Sequence, residues 1–177
     1  MPVPSDSELT ALSREVAEQL LAARRRLVAA ESCTGGWIAK LCTDIPGSSD
    51  WFDCGFVCYS NAAKIRDLSV PEKLIESDGA VSGAVVRAMA EGAIARTGAN
   101  VAIAVSGIAG PGGAVPGKPV GTVWFALAHR RSDRLESQGH LIQFDGDRDV
   151  VRRQAVEFAF NLLRGLPPAM QPPGPGE

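Results

Sequence analysis

Leu9, Leu12, Val16 and Leu20 recur at spacings of three, four and four, which lines them up on one face of a helix. Ser5-Asp6-Ser7-Glu8 opens that helix as a capping box, with Ser5 as N-cap and Glu8 reaching back to it, and the period carries on to about Arg25. "LVAAES" (27–32) then reads as a short buried strand ending in polar residues, and 35–43 as the helix that follows. "FVCYS" (56–60) predicts a second strand, and Asn61 the cap of a short helix over 62–68. Ser82 caps another helix, whose Val85, Val86, Met89, Ala93 and Ile94 face inward. "VAIAV" (101–105) and "TVWFALA" (122–128) are continuous apolar, β-forming runs suited to central strands covered on both faces. A weaker strand covers 135–144, and Asp147 caps a last helix with Val151, Ala155, Phe158 and Leu162 on its inner face. The final thirteen residues, 165–177, hold five prolines and three glycines and are expected to be disordered.

Strand mainly alternates with helix until two late strands follow one another. That order predicts one α/β domain over 1–164, a three-layer α/β/α sandwich whose mostly parallel (mixed) central sheet carries one antiparallel strand. Ligands in such sheets bind outside the carboxyl ends of the strands. The loops there are "ESCTGG", "YSNAAK" and "SGIAGPGG", all small, polar or glycine-rich, and their convergence predicts a site.

Bulk properties narrow the classes. A chain of 177 residues can bury a sizeable core without disulfides or metal. A formal net charge of −2 argues against a nucleic-acid partner, and Arg24-Arg25-Arg26 suits a helix C-terminus. Asp6, Glu8, Arg14, Glu15 and Glu18 occupy the region where a signal peptide would be apolar, and no run approaches the roughly 18 apolar residues that span a membrane. Cys33, Cys42, Cys54 and Cys58 form no CxxC pair, and neither His129 nor His140 has zinc-site spacing. Free thiols in a cytoplasmic protein, without a metal, are therefore expected.

"GGAVPGKP" (112–119) comes close to a phosphate-binding P-loop, but Pro119 stands where the magnesium-holding hydroxyl belongs and a strand follows where a helix should. "SGIAGP" (106–111), with Ser106, Gly107 and Gly110, is the better anion cradle, although a tight turn needs the same glycines. Ser32 and Thr34 flank Cys33 before Gly35 and Gly36; they serve either as caps or as donors gripping an anion at a helix N-terminus. Cys33 is a further candidate nucleophile with no histidine placed to help it. Ser48 or Ser49 reads as an N-cap, Tyr59 as a strand-edge aromatic and Lys64 as a surface lysine. The functional alternative makes Ser49 a nucleophile, Tyr59 a proton relay and Lys64 a base. To act near neutral pH, Lys64 would need burial to lower its pKa at a cost of about 4 kcal/mol. Arg148, opening the last helix, is either a solvated charge or a clamp for phosphate or carboxylate.

Several of these stretches together carry a resemblance. "AESCTGGWIAKLCTDIPGSSDWFDCGFVCYSNAAK" (30–64), "GAVS" (79–82), "AVSGIAGPGG" (104–113) and "KPVGTVWFALA" (118–128) look like the CinA carboxy-terminal domain family, over roughly Leu12 to Leu162. The resemblance implies an α/β/α fold and at least a homodimer. For single-domain members it implies hydrolysis of the carboxamide of nicotinamide mononucleotide to nicotinate mononucleotide and ammonia, with no metal or cofactor. By the same resemblance Ser49, Tyr59 and Lys64 are catalytic, and Ser49 is preferred to Ser48 because the family accepts alanine at the first position. Leucine is accepted at Cys33, against a thiol mechanism. Ser32, Thr34, Gly35, Gly36, Ser106, Gly107 and Arg148 are similar to residues lining the nucleotide site, and Gly110 joins them from the same glycine loop. The family also occurs fused to larger proteins named for competence, so a nucleotide-binding or regulatory module without turnover is the alternative.

Overall fold

The computed structural model describes residues 3–131 and 134–167. Its strands are β1 (Leu27–Glu31), β2 (Phe52–Val57), β3 (Val101–Gly107), β4 (Thr122–Arg131) and β5 (Arg134–Gln143). Its helices are α1 (Asp6–Ala22), α2 (Trp37–Thr43), α3 (Asn61–Leu68), α4 (Glu72–Asp78), α5 (Gly83–Arg96) and α6 (Arg148–Arg164). The strands form one sheet in the order β2-β1-β3-β4-β5. β1 pairs in parallel with β2 and β3, and β4 pairs antiparallel with both β3 and β5. β4 is thus the one strand running against the other four, as the strand order predicts.

Alternation along the buried strands sends side chains to opposite faces and so builds two cores. Leu27, Ala29, Val101, Ile103, Val105 and Phe125 join the cluster formed with α1, α2 and α6. Val28, Ala30, Ala102, Ala104, Ala126 and Ala128 face α3, α4 and α5. That second face is nearly all alanine on β3 and β4, which lets α5 lie close to the sheet. Gly83 leaves room for the Trp124 ring, which a Cβ there would meet at 2.7 Å.

The capping box at Ser5 forms, with the Ser5 hydroxyl accepting from the Glu8 N–H and Glu8 accepting from the Ser5 N–H. Ser82 and Asp147 cap α5 and α6 as expected. Elsewhere the boundaries move. β2 begins at Phe52, four residues before its predicted start, and ends at Val57, so Tyr59 lies beyond the strand. Ser60, not Asn61, caps α3, accepting from the Ala63 N–H at 3.1 Å. α4 is additional to the predicted elements; its helix starts after Pro71, whose ring offers no capping side chain. On α6 the buried stripe runs through Val151, Ala155, Ala159 and Leu163, and Phe158 and Leu162 flank it half-buried. Most of the proline-rich tail, 168–177, lies outside the described residues. The P-loop look-alike is a tight turn in which Val115 and Lys118 exchange backbone hydrogen bonds, and Lys118 Nζ donates to the Asp78 carbonyl at 2.7 Å.

Candidate active site

The carboxyl ends of the parallel strands β1, β2 and β3 lie side by side, and the chain leaving them encloses a cavity of about 190 Å3. Ser32 and Cys33 enter it from the loop after β1, Tyr59, Asn61 and Lys64 from the segment after β2, and Ser106, Gly107 and Ala109 from the end of β3. Ala80 and Val81, between α4 and α5, and Arg148, the first residue of α6, complete the wall.

Lys64 is the centre of this arrangement. Its side chain reaches back from the first turn of α3 into the interior and is only 1% exposed. Its Nζ donates to Ser32 Oγ at 3.1 Å, to the Cys58 carbonyl at 2.9 Å and to the Tyr59 carbonyl at 3.3 Å. Burial pulls its pKa below the ordinary lysine value, opposed by the neighbouring Cys58 and Cys33 thiols. A neutral amine would keep both carbonyl partners with its two N–H groups and turn its lone pair to the Ser32 hydroxyl. The three contacts therefore suit a base next to a serine.

The loop from Ser32 to Gly36 is held from two sides. Glu31, fully buried, ends β1 and turns its carboxylate onto the start of α2. Oε2 accepts from the Gly36 N–H at 3.0 Å and the Ile38 N–H at 3.1 Å, and Oε1 accepts from the Ala39 N–H at 2.9 Å. The anion at this helix N-terminus is therefore the protein's own side chain, whereas the family resemblance implies that Thr34, Gly35 and Gly36 line the nucleotide site. None of those three lines the cavity, and the Thr34 hydroxyl is buried without a hydrogen-bond partner. Gly35 and Gly36, at φ of 65° and 93°, instead let the chain turn between β1 and α2. From the other side Arg152 donates to the Cys33 carbonyl at 3.1 Å and the Thr34 carbonyl at 2.9 Å, with its guanidinium 5.2 Å from the Trp37 ring centre. Burial pushes the Cys33 thiol up to about 12, so a thiolate nucleophile is not what this loop presents.

Arg148 spans the mouth of the cavity, donating to the Gly110 carbonyl at 2.8 Å and to the Tyr59 hydroxyl at 3.3 Å. The Tyr59 hydroxyl therefore meets Arg148, and its link to Lys64 runs through the backbone carbonyl. Gly110 lines an adjoining cavity of about 440 Å3 that shares Ala109 and Arg148 with the first. Ser106 spends its hydroxyl on the Ala80 carbonyl at 2.8 Å.

Ser49 is placed elsewhere. It is exposed in a 3-10 turn, Ser48–Asp50, that precedes β2, whereas Tyr59 and Lys64 follow β2. A six-residue strand spans roughly 20 Å, so within one chain Ser49 and Lys64 lie at opposite ends of β2. Of the serines singled out in the sequence, Ser32 is the one in contact with Lys64. Glu31 and Arg152 were not singled out, although each carries a signal. Glu31 is a carboxylate closing a buried apolar strand, and Arg152 follows Arg148 by one helical turn on α6. Among the described residues no group of three or more His, Cys, Asp or Glu is placed to hold a metal ion.

Comparison with known proteins agrees with the fold and narrows the chemistry. The chain is 50% identical over 159 residues to the nicotinamide-nucleotide amidohydrolase PncC of Escherichia coli (strain K12), covering 90% of this chain and 94% of that protein. It is 53% identical over 158 residues to the protein of the same name from Pseudomonas putida, covering 89% and 96%. The crystal structure of a competence-damaged protein (CinA) superfamily protein from Escherichia coli superposes with a TM-score of 0.85 at 36% identity, covering 94% of this chain and 95% of that one. The family model of the CinA C-terminal domain matches residues 9–166. With match and fold in agreement, the chain belongs to the CinA C-terminal domain family.

Proposed function

We propose that this chain is an amidohydrolase that converts nicotinamide mononucleotide and water to nicotinate mononucleotide and ammonia, with Ser32 as nucleophile and Lys64 as its base. The observation that carries the chemistry is the buried Lys64 Nζ at 3.1 Å from Ser32 Oγ on the cavity wall. The substrate class is supported by relatives named nicotinamide-nucleotide amidohydrolase that match nearly end to end. Ser32 replaces Ser49 in the nucleophile's role because a base cannot take a proton across the length of a strand.

In this reading Ser32 Oγ attacks the carboxamide carbon as its proton passes to Lys64. The tetrahedral oxyanion then collapses, and the leaving ammonia takes the proton from Lys64. A water attacks the resulting ester and gives its proton to Lys64, which returns it to Ser32 as nicotinate mononucleotide departs. The positive pyridinium draws electrons from the carboxamide and favours both attacks. Arg148, with N–H groups at the cavity mouth, is the natural partner of the 5′-phosphate. Tyr59 closes the same edge and orients Arg148 through its hydroxyl.

The test is incubation of the purified chain with nicotinamide mononucleotide, beside free nicotinamide and the dinucleotide, following ammonia and the acid product by chromatography. Equal amounts of both products from the mononucleotide are expected. Binding in calorimetry without products would replace the enzyme with a nucleotide-binding module. Self-association belongs to the same reading, supported by the edge position of β2, with Val57 exposed at its end and Tyr59 exposed just beyond it, beside the cavity. Light scattering on the eluting protein should give at least a dimer, and a monomer at micromolar concentration would remove that element. A cytoplasmic location is supported by four cysteines that are all free thiols, and cell fractionation checks it.

A further inference from the structure

The cavity wall explains what Ser32 and Lys64 can do once they face each other, but not what makes them do so. Ser32 sits in a loop with two positive-φ glycines, and α2 behind it has only seven residues. Such a short helix has little stability of its own. Two charged side chains from outside the cavity supply the constraint. Glu31 gathers three backbone N–H groups at the far end of the loop, at 2.9 to 3.1 Å. Arg152 gathers two carbonyls in the middle of it, at 3.1 and 2.9 Å. One takes donors and the other takes acceptors, so the loop is gripped through both kinds of backbone group, and a shift in either direction breaks a charge-assisted hydrogen bond.

We infer that Glu31 and Arg152 are the positioning residues of this reaction: together they fix the 32–36 loop so that the Ser32 hydroxyl faces Lys64. Neither lines the cavity, so both act through the loop and not on the substrate. The inference rests on Ser32 as nucleophile and extends that reading to the groups that aim it. Glu31 has a second consequence. As a buried carboxylate one residue from Ser32, it would be a natural partner for the Lys64 ammonium, which would hold the lysine charged. The α2 amides occupy both its oxygens instead and leave Lys64 with neutral acceptors.

Two variants test this. Glu31→Gln keeps the size but points an NH2 group at a backbone N–H, and Arg152→Met keeps the apolar stem and removes both donors. Each folded variant is expected to lose about 10- to 100-fold in kcat with KM within about threefold, the signature of a misaimed nucleophile in an intact binding site. Phosphonylation gives an independent readout: a fluorophosphonate, losing fluoride to Ser32 Oγ, should modify Ser32 more slowly in each variant by a similar factor. A folded variant with kcat and labelling within twofold of the parent would overturn the inference. A loss confined to KM, or a lowered melting temperature with unchanged rates, would overturn it too. Should Glu31→Gln fail to fold, Arg152→Met decides by the same criteria. If the parent releases no ammonia from the mononucleotide, the functional reading fails, and the labelling rates still report whether the two residues aim Ser32.

Discussion

Lys64 is the residue on which the chemistry turns, and its environment makes a signed prediction. It must be neutral to accept the Ser32 proton, and burial lowers its pKa below that of an exposed lysine. Activity should therefore rise with pH through this lowered value, and the acid limb of kcat/KM should lie below the ordinary lysine range. Stability carries the same signature. Between the lowered folded-state pKa and the ordinary unfolded one, the unfolded chain binds the extra proton, so stability climbs as pH rises through that window. Lys64→Met should lose activity by about a thousandfold or more while remaining folded, and its urea midpoint should lack this slope. An unchanged slope in the variant would assign the titration to another group.

At the scale of elements, the turn between α4 and α5 is a cavity wall that the protein anchors from several directions. Ser106 Oγ donates to the Ala80 carbonyl, Lys118 to the Asp78 carbonyl, and Ser82 Oγ both donates to the Gly79 carbonyl and accepts from the Val85 N–H. Ser82→Ala removes the last pair. It should cost about 1 kcal/mol and lower the melting temperature by roughly 2–4 °C, read by calorimetry. The three site loops were legible because each follows a run of apolar residues and is itself polar or glycine-rich. β2 was harder: "FDCGFV" carries Asp53 and Gly55 in an edge strand with one half-open face, so only its last apolar stretch signalled a strand. Yet the topology itself separates Ser49 from Tyr59 and Lys64. A residue before a strand and residues after it lie at opposite ends of that strand, which follows from chain order alone. The resemblance groups the three by motif and carries no information on which end of a strand each occupies. Ser32 was seen as a hydroxyl near an anion, and its pairing with Lys64 stayed hidden because contacts across 32 residues of sequence leave no local pattern.

The whole molecule places its site where an α/β/α sandwich leaves room for one, beyond the carboxyl ends of neighbouring parallel strands and between two separately packed cores. The large-residue core on the α1, α2 and α6 side fixes Arg148 and Arg152 on one rigid helix, and the alanine-rich core on the other side fixes α3 and with it Lys64. Ser32 stands where the two layers meet, which is why both faces of the sheet contribute to one reaction. The most direct test of this account is to compare ammonia release from nicotinamide mononucleotide by the parent chain, Ser32→Ala and Ser49→Ala under identical conditions. The account predicts a loss of about a thousandfold or more for Ser32→Ala and a rate within a few-fold of the parent for Ser49→Ala. Near-parental turnover in Ser32→Ala with collapse in Ser49→Ala would contradict it, and would require the nucleophile to come from another copy of the chain.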